Sequence, residues 1–198
     1  MSEPAFSWKS VIFESLFVVL GVVLAFLANE YRQQKQDENR AVMAIQSIVL
    51  EVETNKNSIL DALNYHTSLI DTLSSFVREN EGKRIPDIKI FNKGFIAPAE
   101  LLENAYNTAI ATDVLNNHKY DVVLQIGNLY ARQESYNLQK ERAGSIIYNA
   151  IYENGSEGIL KNYANLLSII YTFIYKENEL LNTYNIALKE LGEYKESD

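Results

Sequence analysis

The chain has 198 residues, 47% of them apolar, with 18 Lys and Arg against 26 Asp and Glu, a net charge of −8. That acidity, without a strong basic stripe, argues against nucleic acid as a partner, because phosphate binding needs clustered cations. The absence of cysteine excludes disulfides, thiolate metal sites and cysteine nucleophiles; only three prolines and eight glycines favour long helices.

A short tail, residues 1–10, precedes the most distinctive stretch. From Val11 to Ala28 every residue is apolar except Glu14, Ser15 and the lone Gly21. At 1.5 Å rise per residue this run is just long enough to cross the hydrocarbon core of a bilayer. Trp8 and Lys9 stand before it and Tyr31 and Arg32 after it, where rings and long cations settle at the headgroups. The pattern predicts a transmembrane helix over residues 11–29. A cleaved signal peptide fits poorly, since the start carries Glu3 and the best cut, after Ala28, puts Phe26 at −3.

Gly21 and Ala25 form a small-xxx-small pair, and on a helix Glu14, Gly21, Ala25 and Ala28 fall near one stripe. That stripe is a candidate packing face, because small residues let helix backbones approach closely in lipid. Glu14 lies about one turn into the run, where it reaches the headgroups and the positive end of the helix dipole. Arg32, Lys35 and Arg40 on the C-terminal flank outnumber Lys9 and the α-amino group, which orients the following domain to the cytoplasm.

Residues 30–81 predict a stalk continuous with a long helix. No proline or glycine interrupts Glu30–Asn80, and Val42, Ile45, Val49, Val52, Ile59, Leu63, Ile70, Leu73 and Val77 recur at coiled-coil spacing, with Lys56 and His66 on the same seam. Residues 82–97 read as a loop holding a local basic group, Lys83, Arg84, Lys89 and Lys93, a candidate partner patch far from the membrane. Pro98 opens a short helix with Leu101, Leu102, Ala105, Tyr106 and Ile110 inward. Two long helices complete residues 98–193, divided by the Asn154-Gly155-Ser156 turn, and residues 194–198 form a charged tail. The fold expected is all-α: a transmembrane helix running into an elongated antiparallel bundle of three to four helices.

The spacing Glu14-x6-Gly21-x3-Ala25-x3-Asn29-Glu30-Tyr31-Arg32 resembles a family of bacterial single-pass membrane proteins, with Tyr31 where the family usually carries tryptophan. The later stretch AELLENAYNTAIATDVLNNHKYDVVLQIGNLY is similar to that family's second landmark. The resemblance implies a helical domain anchored in a bacterial cell membrane. It supplies no activity and no catalytic residues.

Catalytic signatures are missing from the sequence: no HExxH, P-loop, GxGxxG or GxSxG occurs. His66 falls on the helix seam and His118 precedes a helix, and neither has the Glu three residues earlier that a di-metal bundle site uses. Glu177, on the last helix's seam, is expected to pair with Lys56 or Lys140. No catalytic, cofactor or metal residue is therefore assigned, and no cofactor is expected. The reading is a non-enzymatic, membrane-anchored scaffold or accessory subunit, whose partners are membrane lipid and a second copy or another membrane protein. The alternative is a sensor bundle that binds a small ligand near Tyr106, Tyr130 and Tyr163 and signals through a partner; the sequence names no such ligand.

Overall fold

The computed structural model describes residues 8–80, 86–96, 99–161 and 163–193, without the side chains at 9–11, 156, 159 and 193. Every regular element among them is helical: α1 (Trp8–Glu79), α2 (Asn104–Ala111), α3 (Tyr120–Lys161) and α4 (Tyr163–Glu193), with single 3-10 turns at Ile88–Ile90 and Val114–Asn117.

Helix α1 is the spine. Its 72 residues run without a break, a span of about 108 Å. The apolar stretch from Ile12 to Leu27 is uncovered on all sides, and it is the one helical segment among the described residues long and apolar enough to cross a membrane. The stalk that follows is polar all round and also uncovered. Short-range pairs support it: Lys35 with Glu38 at 3.2 Å and Arg40 with Asp37 at 3.4 Å. From Ala41 onward α1 lines the core.

The core stripe of α1 differs from the expected seam at five of its eleven positions. Ala41, Ile45, Ile48, Val52, Ile59, Ala62, Leu69, Ile70 and Leu73 are buried, together with Glu51, Asn55 and His66. Ile45, Val52, Ile59, His66, Ile70 and Leu73 belong to both sets. Val42, Val49, Lys56, Leu63 and Val77 are only half-buried, at the flank of the stripe. The small or polar residues one position earlier (Ala41, Asn55 and Ala62) take the inward places, Asn55 by hydrogen-bonding neighbouring backbone at Leu102.

That neighbouring backbone is the second difference. The helix expected from Pro98 starts at Asn104 instead, and Pro98 lies outside the described residues. Residues 86–96 and 99–118 descend along α1 as a return segment of short helices and irregular chain: Gly94 lies by Tyr65, Leu102 by Asn55, Ala105 by Glu51, and His118 by Ala41. Helix α3 then climbs in step with α1, meeting it at Tyr130–Glu51 and Gln133–Asn55. Helix α4 descends again and packs against both α1 and α3. The bundle is thus up-down-up-down, with one of its four limbs built from short helical pieces joined by irregular chain. Gly155 breaks the helical path within α3 at φ 66°, where the sequence marks a turn, and the chain reverses direction between there and α4.

Two apolar clusters fill the bundle. The larger, around Ile48, Val52, Leu129, Phe173 and Tyr184, occupies the membrane-proximal two-thirds; the smaller, around Leu73, Phe91, Ile147 and Ile170, closes the distal end.

Candidate functional site

An irregular segment inside a bundle must find partners for its backbone polar groups, because each unpaired buried group costs about 1–3 kcal/mol. The return segment finds them on α1 and α3. Asn55 accepts from Leu102 N–H through Oδ1 (2.7 Å) and donates through Nδ2 to the Leu102 carbonyl (2.8 Å), which also accepts from Gln133 Nε2 (2.9 Å). Tyr184 donates to Gln133 Oε1 (2.7 Å), as does Asn55 Nδ2 (3.0 Å). Lys140 donates to the Ala99 carbonyl at 2.6 Å, and Tyr65 to the Gly94 carbonyl at 2.5 Å.

Glu51 completes the set by capping α2 from another helix. Its carboxylate accepts from the N–H groups of Ala105 (2.8 Å) and Tyr106 (3.4 Å), in the first turn of α2, and from the Tyr130 hydroxyl (2.5 Å). The residue before α2, Glu103, makes no side-chain cap, so Glu51 supplies the negative charge that a helix N-terminus favours. Tyr106 and Tyr130 stack beside it, centroids 4.1 Å apart.

Farther from the membrane, His66 Nδ1 stands 2.8 Å from Glu177 Oε1, and Tyr136 donates to the same oxygen at 3.0 Å. Both His66 and Glu177 are 0% exposed, and Glu177 Oε2 has no hydrogen-bond partner among the described residues. The expected partners of Glu177 are thereby corrected: Lys140 serves the Ala99 carbonyl, and Lys56 is only half-buried. Burial pushes the phenols of Tyr130, Tyr136 and Tyr184 far above their usual range, and carboxylates add to it: Glu51 at Tyr130, Glu177 at Tyr136, Glu103 and Glu51 at Tyr184.

These polar groups hold the bundle's own chain together. Three clefts among the described residues are lined by none of their side chains. Two lie at the membrane-proximal end, and another, of about 480 Å³ beside Asp71, Phe76 and Ile90, lies at the distal end. Of the membrane-proximal pair, one of about 820 Å³ lies between α1 (Val42, Val49), the residues just before α3 (His118) and the end of α4 (Leu191), and one of about 560 Å³ lies between α1 (Met43, Ser47) and α2 (Thr108). Among the described residues no group of three or more His, Asp or Glu side chains is placed to hold a metal.

Among the residues picked from sequence, Glu14, Gly21, Ala25 and Ala28 lie exposed on the uncovered part of α1, and a Cβ added at Gly21 would meet nothing within 4 Å. Trp8 and Tyr31 are exposed at the ends of the apolar run, and Arg32 donates to Asn29 Oδ1 at 3.4 Å. Lys83 and Arg84 lie outside the described residues, as does the Lys9 side chain. Lys89 and Lys93 are exposed, Lys93 resting 5.9 Å from the Tyr65 ring centroid, about 54 Å of helix beyond Asn29. The rings of Tyr106 and Tyr130 stack on one another, and Tyr163 opens α4 at the opposite end of the bundle.

Comparison with protein-family models, with curated proteins and with solved structures finds no match.

Proposed function

We propose that this chain is a non-enzymatic, membrane-anchored scaffold or accessory subunit that associates with itself or with another membrane protein and holds a helical bundle at a set height above the lipid. The observation that carries the reading is the continuity of α1: a fully uncovered apolar segment passes, in one helix, into the residues that line the core. The first buried position, Ala41, follows Asn29 by about 18 Å of helix, so the bundle sits just clear of the headgroups without a flexible tether. The resemblance of the anchor to bacterial single-pass proteins supports a bacterial cell membrane, and the Arg32, Lys35, Arg40 excess supports a cytoplasmic bundle. The buried polar groups serve the return segment's backbone and the α1–α4 contact, which favours a structural over a catalytic use.

The sensor alternative has the membrane-proximal cleft of about 820 Å³ in its favour and the Tyr106–Tyr130 stack against it.

The test is the mass of the full chain in detergent, with and without Gly21→Ile and Ala25→Ile. A fall in mass in the double variant supports self-association through the lipid-facing stripe; an unchanged mass above that of one chain removes the stripe from the interface. A compartment-sensitive reporter fused after Asp198 checks the orientation, and an external signal overturns the cytoplasmic assignment.

A further inference from the structure

At about 3.6 residues per turn, about eighteen residues make five full turns, so positions eighteen apart on a continuous helix share an azimuth. On α1 this aligns Glu14 and Arg32 with Leu50, Gly21 with Asn39, Ala25 with Met43, and Ala28 with Gln46. The stripe expected to pack in lipid therefore continues, on the same side of the same helix, onto the bundle. The core-facing residues Ala41, Ile45, Ile48 and Val52 point about 160° away. On that far side Asn39 and Gln46 are exposed, and Met43 and Leu50, one heptad apart, are 65% and 64% exposed.

This side of α1 is also a ridge with a groove on each flank. Against α2 runs the cleft of about 560 Å³ that Met43 borders; against the residues just before α3 and the end of α4 runs the cleft of about 820 Å³ that Leu50 borders. A ridge between two grooves is the shape that a second, identical helix accepts by interdigitation.

We propose that the Asn39–Met43–Gln46–Leu50 face of α1 docks a second copy of this chain, as a parallel two-fold pair with α1 against α1 and the two bundles turned outward. The proposal rests on the membrane-anchored reading above. Two copies anchored in one bilayer stand at the same height, so Met43 meets Met43 and Leu50 meets Leu50 without any search in register. Because the core lies on the opposite side, neither bundle obstructs the approach at any level from lipid to Leu50. The area suffices as well. From Glu14 to Asn57 the shared side is about 65 Å long and about 10 Å wide, roughly 1,300 Å² over both copies, within the range of stable specific interfaces.

The lack of native cysteine makes the test clean. Full-length Met43→Cys, Leu50→Cys, Ile146→Cys and Tyr171→Cys are each reconstituted at high dilution in phosphatidylcholine vesicles and mildly oxidised. All four native side chains are at least half exposed. The expected result is disulfide dimer at 43 and 50 at a rate at least roughly tenfold above that at 146 and 171, since only positions at the two-fold axis gain effective concentration. Equal rates at all four positions, or faster coupling at 146 or 171, overturn the proposal. Repeating the Met43→Cys and Leu50→Cys assays with Gly21→Ile and Ala25→Ile separates it from its premise. Coupling that persists upholds the bundle face while removing the lipid stripe. A mass that falls with those changes, in a chain that never couples at 43 or 50, upholds the stripe and overturns the bundle face.

Discussion

His66 on α1 and Glu177 on α4 meet at 2.8 Å in the middle of the bundle, both side chains fully buried, with the Tyr136 hydroxyl on the same carboxylate oxygen. Such a contact costs more to break than it contributes when made, because removing one partner strands the other in a low-dielectric interior. His66→Ala or Glu177→Ala is expected to destabilise the bundle by about 3–5 kcal/mol in denaturant unfolding. Replacing the pair together, His66→Leu with Glu177→Met, is expected to recover most of that loss. A double variant as unstable as the sum of the single ones would show that the pair has no mutual dependence.

Glu51 holds α2 from outside, so its removal acts locally. Glu51→Ala strands the Ala105 and Tyr106 N–H groups and the Tyr130 hydroxyl, an expected loss of about 2–3 kcal/mol. Amide exchange in residues 104–111 should accelerate far more than in α3 or α4. Uniform acceleration across the chain would contradict a local cap.

Three buried phenols set the alkaline limit of stability. The folded-state pKa values of Tyr130, Tyr136 and Tyr184 lie above the unfolded value of about 10, so their contribution is complete below pH 10 and is lost as pH rises beyond it. Each costs about 1.4 kcal/mol per pH unit, and the three together about 4. Unfolding curves above pH 10 should show this slope, with tyrosinate absorbance rising together with unfolding for these three residues. Tyr130→Phe should reduce the slope by about one third.

Two glycines should respond with opposite signs. Gly155 sits at φ 66°, where a Cβ is strained, and Gly155→Ala is expected to cost about 1 kcal/mol. Gly144 lies within α3 with nothing within 4 Å of an added Cβ, and Gly144→Ala should stabilise by about 0.5–1 kcal/mol. Thermal unfolding of the two variants in detergent checks both.

The long helices were legible because their signals are one-dimensional: an unbroken apolar run, heptad spacing from Ile45 to Leu73, and Asn154-Gly155-Ser156 as punctuation. The register of the α1 seam was only half legible. Ala41, Asn55 and Ala62 read as poor core residues although all three are buried, Asn55 on the Leu102 backbone, whereas Val42, Val49 and Leu63 read as good ones. The start of the short helix in the return segment is hidden for a related reason. Helix periodicity runs through Leu101 and Leu102, and the side chains that pull this stretch out of a helix, Asn55 and Gln133, lie 47 and 31 residues away from Leu102. Glu177 was placed correctly on a seam, but its partner His66 stands 111 residues earlier, beyond what spacing can pair.

Everything proposed for this chain depends on α1 being one helix that leaves a bilayer and enters the bundle. A nitroxide scan over residues 12–41 of the full chain in vesicles tests this most directly, reading accessibility to oxygen and to a water-soluble relaxer at each position. The expected result is lipid exposure from 12 to about 28, then water exposure from about 31, with high helical order throughout the stalk. Water exposure inside 12–28, or mobility between 30 and 40 typical of a flexible linker, would contradict it.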